Sequence, residues 1–110
     1  MSEDYFKQVY EANDDPWNFK ASEYEAAKYD ATISALPNKH YKKGLEVGCS
    51  IGILTKLLAK KCSELTAIDI SAKALEQAED YCKDLINVKF QKLAFQKELP
   101  EGNFDLIVIL

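Results

Sequence analysis

The 110-residue chain is predicted to form an α/β domain, a parallel sheet with flanking helices. Three features point there. From Gly44 onward, short apolar runs alternate with stretches whose apolar residues recur at helical spacing. The runs are nearly continuous, as strands buried on both faces require. A small-residue turn, Gly48-Cys49-Ser50-Ile51-Gly52, follows the first run directly. The order from Gly44 is strand, helix, strand, helix, strand, strand, and the first two strand–helix units have Rossmann-like length. The fourth strand ends at the last residue, whereas a sheet centred on the first strand would continue on that side. The sheet is therefore expected to be incomplete, the front part of a larger domain, by truncation or by natural design.

Residues 1–20 read as a lead-in. Phe6 lies three residues before Val9 and four before Tyr10, and with Tyr5 these side chains share one face of a short helix. Asn13-Asp14-Asp15-Pro16 ends it, because Pro16 cannot donate and restricts Asp15. A second helix is expected from Ser22 to about Leu36. Ser22 caps it, Glu25 completes a capping box, and Pro37 stops it. Its apolar stripe is read as Tyr24, Ala27, Ala31 and Ala35, with Lys20, Glu23, Lys28 and Asp30 mostly outside it. Trp17, Phe19 and Tyr24 form an aromatic cluster that either packs this helix on the domain or serves as a lid.

Leu45-Glu46-Val47 is the first strand. After the turn, Ile53, Leu54, Leu57, Leu58 and Cys62 recur at helical spacing, and Lys60 and Lys61 suit the negative end of that helix. Leu65–Ile70 is the second strand. Ser71 caps a third helix with a core face of Ala74, Leu75, Ala78, Tyr81 and Cys82, extending toward Leu85. Val88-Lys89-Phe90 is the third strand. Pro100-Glu101-Gly102-Asn103 turns the chain into a fourth, Phe104–Leu110, apolar throughout after Asp105. An uncovered edge at Val108, Ile109 and Leu110 predicts self-association.

Composition narrows the function classes. The net charge is -4, with 18 acidic residues against 14 lysines and no arginine, which disfavours a nucleic-acid binder. No apolar run reaches the length of a membrane span, and the polar, acidic N-terminus is no signal peptide. Cys49, Cys62 and Cys82 are too few and too widely spaced for a disulfide framework and offer no CxxC pair for a metal, so a reducing cytoplasm is the simplest setting.

The chemistry concentrates in the first turn. Glycines there allow a tight bend and close approach of a ligand, and the following helix aims its free N–H groups at the same spot. Asp69 lies 21 residues after Gly48, the distance at which a carboxylate takes the two hydroxyls of a ribose. The plainer readings are a structural turn for Gly48 and Gly52 and a helix cap or surface acid for Asp69. Glu46 sits inside a strand and needs a partner when buried, either a ligand ammonium or N–H groups of the turn. Gly48 and Gly52 are four apart with Ser50 between them, a poor fit to the GxGxxG of nicotinamide enzymes. The segment also reads as GxSxG, but the one histidine, His40, precedes Ser50, so a hydrolase fails on chain order and His40 is an ordinary surface or packing residue. Cys49 beside the helix end suits a small buried side chain better than a nucleophile.

LEVGCSIG, AIDIS and FDLIV, in that order and spacing, resemble class I S-adenosylmethionine-dependent methyltransferases. The upstream stretch DPWNFKASEYEAAKYDATISALP resembles the narrower NodS-like group, and the likeness covers nearly the whole chain. It implies that Glu46, Gly48, Ser50 and Gly52, with Cys49 in the same turn, surround the methionine part of the cofactor. It implies further that Asp69 holds the ribose hydroxyls, that Ile70 lies beside the adenine, and that Trp17, Phe19 and Tyr24 belong to a segment that closes over the cofactor. Two departures stand out. Ser50 replaces the usual middle glycine, and Leu93-Ala94-Phe95 supplies no acid for the adenine amino group. The loop after the fourth strand and the later strands, which shape the acceptor pocket in the family, are absent.

Residues 1–37 are thus expected to be a helical lead-in or lid, and residues 38–110 the N-terminal half of a cofactor-binding α/β domain. The expected function is methyl transfer from S-adenosylmethionine to a small molecule, by the chain or by an enzyme of which it is the cofactor-binding portion. The donor methyl is already activated, so the protein mainly aligns donor and acceptor and excludes water. No residue stands out as a general base, and no metal is implied. The alternatives are a non-catalytic module that binds a nucleotide-like ligand or a partner strand, and, less favoured, an NAD-dependent oxidoreductase.

Overall fold

The structure, a computed structural model, describes residues 23–97 and 100–109, with side chains from Ala26 onward. The expectations for Tyr5, Phe6, Val9, Tyr10, Trp17, Phe19, the Ser22–Glu25 capping box, Tyr24 and Leu110 lie outside this set.

The described elements are α1 (Glu23–Ser34), β1 (Tyr41–Val47), α2 (Ile53–Leu58) followed by a 3-10 turn (Ala59–Lys61), β2 (Cys62–Asp69), α3 (Ala72–Tyr81), β3 (Val88–Lys92) and β4 (Leu106–Ile109). The four strands form one parallel sheet in the order β3-β2-β1-β4, with β1 inside the sheet as expected. Glu46, Ala67, Phe90 and Val108 stand in register across it, as do Val47, Ile68, Gln91 and Ile109. Because successive side chains of a strand alternate, these two rows lie on opposite faces. The helices cover the first. Thr55 of α2 reaches Glu46, and Leu75 of α3 packs with Cys49 and Ala67 against Phe90.

One helix face and three boundaries differ from the sequence reading, each for a tertiary reason. The buried face of α1 is Tyr29 with Ile33 and Leu36, which pack on Leu54 and Leu58 of α2, whereas Ala27, Ala31 and Ala35 are exposed. One buried tyrosine offers more apolar area than the alanines, so it sets the helix orientation. The first strand begins four residues early, at Tyr41. Its opening amides are held from outside the ladder, Lys42 N–H donating to Asp105 Oδ2 at 2.9 Å and Lys43 N–H to Asp105 Oδ1 at 2.8 Å. Cys62 opens β2 rather than closing a helix. The Asn87 amide fixes this change by donating to the Ala59 and Cys62 carbonyls at 2.9 Å each. The fourth strand starts at Leu106, because Asp105 is spent on the start of β1.

Candidate functional site

Parallel pairing brings the C-terminal ends of β1 and β2 to one edge. The ladder runs one step past Val47, with the Gly48 and Cys49 N–H groups both donating to the Ile68 carbonyl at 2.9 and 3.0 Å. The chain then bends through three left-handed residues, Gly48 (φ 81), Ser50 (φ 52) and Gly52 (φ 91). Ser50 is the one non-glycine residue of positive φ among those described. A side chain there costs on the order of 1–2 kcal/mol, so something must hold the bend.

Asp69 holds it. Its Oδ2 accepts the Ser50 N–H at 2.9 Å, and its Oδ1 accepts the Ser71 N–H at 3.0 Å. Ser71 Oγ in turn caps α3 by accepting the Ala74 N–H at 3.1 Å. Burial pushes the Asp69 carboxyl above its ordinary range, and the backbone donors at Ser71, Ser50 and Ile70 oppose that rise. The two carboxylate oxygens offer about four acceptor sites between them, so these amides leave acceptor capacity for hydroxyl donors of a ligand. Ile70 is half-buried beside it.

Glu46 lies one layer below the turn, 1 % exposed. Its Oε1 accepts the Thr55 hydroxyl at 2.5 Å, and Thr55 is itself fully buried. Loss of water pushes the Glu46 carboxyl up to about 7, the Thr55 bond works against the rise, and the Asp69 charge adds to it. Neither of these two neighbours is a cation.

The predicted residues therefore divide into two groups. The Ser50 amide meets the Asp69 carboxylate, with Ile70 next along the chain, while the Gly48 and Cys49 amides bond the Ile68 carbonyl and Glu46 lies on the strand that enters the turn. The Cys49 side chain is buried with Ala67 and Leu75, where burial and the Glu46 and Asp69 charges raise its pKa far above the ordinary thiol value. Gly52 turns away toward α3. A Cβ there would stand 3.1 Å from Ala78 Cα and 3.2 Å from Cys82 Sγ. Thr55 was not anticipated, since a threonine among helical leucines gives no signal until the strand opposite is known to carry an acid. His40 lies elsewhere, its Nε2 2.8 Å from Ser63 Oγ. A separate cleft of about 720 Å³ beside β3, lined by Lys43, Thr66, Asn87, Lys89, Gln91 and Pro100 among others, contains none of the predicted site residues. No cluster of metal-ligating side chains occurs among the described residues.

Known proteins resemble this chain in sequence and in fold. The profile of a family described as Nodulation protein S (NodS) matches residues 2–110. Nodulation protein S of Bradyrhizobium diazoefficiens is 29% identical over 113 residues, covering 99% of this chain and 54% of that protein. An uncharacterized methyltransferase of Mycobacterium tuberculosis is 30% identical over 95 residues, covering 86% of this chain and 45% of its own length. The crystal structure of N-methyltransferase NodS from Bradyrhizobium japonicum in complex with S-adenosyl-l-homocysteine superposes with a TM-score of 0.84 at 27% identity, over 97% of this chain and 55% of that one. The chain thus spans about half the length of the relatives it matches.

Proposed function

This chain belongs to the nodulation protein S family, and from that premise we propose that it is the cofactor-binding part of an S-adenosylmethionine-dependent methyltransferase acting on a small molecule. The observation that carries this reading is the Asp69 carboxylate at the tip of β2, bonded to the glycine-rich turn through Ser50. A buried acid, Glu46, whose ionisation the nearby charge of half-buried Asp69 disfavours, fits a ligand that brings positive charge and hydroxyl donors. S-adenosylmethionine offers an ammonium, a sulfonium and the two ribose hydroxyls.

In this reading Asp69 takes the ribose hydroxyls, Ile70 flanks the adenine, and Glu46 with the backbone of Gly48, Cys49 and Ser50 surrounds the methionine part. Gly52 contributes by letting the turn sit against α3. When bound, the cofactor supplies the transferable methyl. The chain's own residues bind and orient it and keep the methionine end out of water. Residues 1–37 form the lead-in or lid and residues 38–110 the cofactor half-domain. The acceptor belongs to the small-molecule class rather than to nucleic acid, in keeping with a net charge of -4 and no arginine. The three free cysteines favour a cytoplasmic setting, and among the described residues no helix is long and apolar enough to cross a membrane. The exposed flank of β4 favours self-association.

Calorimetric titration of the chain with S-adenosylmethionine and S-adenosylhomocysteine, with NAD as control, tests the proposal. Saturable binding of the two sulfur compounds alone, lost on Asp69→Ala, is the expected result. A folded chain that binds neither would overturn it.

A further inference from the structure

We propose that Thr55 is a positioning residue for the cofactor, its hydroxyl holding the Glu46 carboxylate in place as counter-ion to the cofactor's ammonium. The inference rests on the function proposed above and adds to it a residue that touches no ligand.

The argument begins with burial. Glu46 and Thr55 are 1 % and 0 % exposed, so neither finds compensation in water. A buried carboxylate is stable only when paired or hydrogen-bonded, and among the described residues the Thr55 hydroxyl, at 2.5 Å, is the side-chain donor that meets it. Among the other ionisable groups that face Glu46, one opposes its charge. Asp69 on β2 is the charge that does so, whereas the Cys49 and Cys82 thiols, both pushed up by burial and by Glu46 itself, stay neutral and supply no counter-charge. Its neighbours in register, Ala67 on β2 and Val108 on β4, are apolar. Lys56, next to Thr55 on α2, lies over the Tyr81 ring at 4.6 Å. The surroundings therefore favour the neutral acid, and the Thr55 bond is the influence that favours the carboxylate. That bond also fixes the rotamer, since Thr55 stands on α2 directly after the turn. Glu46 is thus held one layer below the glycine turn and turned toward a donor at one oxygen. A ligand ammonium arriving at the turn completes the pairing.

A purely structural role, in which Thr55 ties α2 to β1, forecasts instead a loss of binding that does not vary with pH, and two variants provide the test. Thr55→Val keeps the shape and removes the hydroxyl. Thr55→Ser keeps the hydroxyl and removes the methyl. The Glu46 carboxyl is followed by 13C NMR in the unliganded chain, and S-adenosylmethionine affinity is measured by calorimetry from pH 6 to 8. Thr55→Val is expected to raise the Glu46 titration midpoint and to weaken binding by about tenfold or more at pH 7, the loss narrowing as pH rises. Thr55→Ser is expected to restore both to near the unsubstituted values. An unmoved midpoint and undiminished binding in Thr55→Val would overturn the inference alone, as would a Thr55→Ser chain that loses as much as Thr55→Val. A folded, unsubstituted chain that fails to bind S-adenosylmethionine overturns the cofactor assignment and this inference with it.

Discussion

Asp69 Oδ2 accepts the Ser50 N–H at 2.9 Å, so the tip of β2 holds the turn after β1 in its left-handed form. The second oxygen takes the Ser71 N–H and so ties the same carboxylate to the cap of α3. One side chain thereby fixes the two loops between which a ligand would lie.

Asp69→Asn is expected to be worse than the loss of one charge suggests. Both oxygens accept from backbone N–H groups, so the amide nitrogen must face a donor whichever way it turns. Hydrogen bonds to charged groups are worth roughly 1.5–3 kcal/mol, which corresponds to about ten- to hundredfold in S-adenosylmethionine affinity by calorimetry. Asp69→Asn binding as tightly as the unsubstituted chain would remove the ribose role.

Gly52→Ala tests packing rather than ligand contact. Its φ of 91 is left-handed, and the added Cβ would meet Ala78 Cα and Cβ at 3.1 Å and Cys82 Sγ at 3.2 Å. The backbone of α3 cannot yield as a side-chain tip can. A loss of about 1–3 kcal/mol in denaturant unfolding is expected from the strained conformation and the overpacking. An unchanged midpoint would show that the turn repacks freely.

Much of this was legible in advance. Parallel strands, the turn and the acid at its tip follow from apolar runs, glycines and spacing, which are local signals. The missed features depend on partners distant in sequence. Tyr29 won the buried face of α1 because α2 offered Leu54 and Leu58 to pack against. Cys62 became a strand residue because the Asn87 amide, 25 residues away, bonds its carbonyl. Thr55 became the partner of Glu46 because that acid, nine residues earlier, faces it across the sheet–helix boundary.

The pH dependence of stability has a definite sign. Burial raises Glu46 from 4.5 to about 7 in the folded chain. Between those values the unfolded chain has released the proton and the folded chain retains it, so stability falls as pH rises through this window. The full shift corresponds to about 3 kcal/mol. Asp69, also raised, acts in the same direction. Glu46→Gln is expected to flatten the loss of stability between pH 5 and 7 in denaturant titrations. An equally steep slope in that variant would assign the proton to another group.

Asp105 acts in the opposite sense. The Lys42 and Lys43 N–H groups hold its exposed carboxyl below the ordinary range. Its contribution is therefore present above the unfolded value and fades as pH falls through the folded one. Asp105→Ala is expected to speed hydrogen exchange at the Lys42 and Lys43 amides while Leu65, deep in β2, is unaffected. Equal protection in both chains would leave Asp105 without a part in aligning β4.

The flank of β4 gives the last test. Among the described residues β4 pairs only with β1. Ile107 and Ile109 are 53% and 60% exposed on one face, whereas Val108, on the helix-covered face, is 8% exposed. An apolar strand with free N–H and carbonyl groups is a template for another strand, and exposed isoleucines beside it add apolar area to that contact. Sedimentation velocity at rising concentration is expected to show self-association, relieved in the Ile107→Lys, Ile109→Lys double variant without loss of the folded circular dichroism spectrum. Val108→Lys places a charge in the core and should unfold the chain instead, which separates edge exposure from hydrophobicity as the cause. An unsubstituted chain that stays monomeric across the concentration range shows that this edge is too short or too twisted to recruit a partner, and the self-association reading then fails while the cofactor site stands.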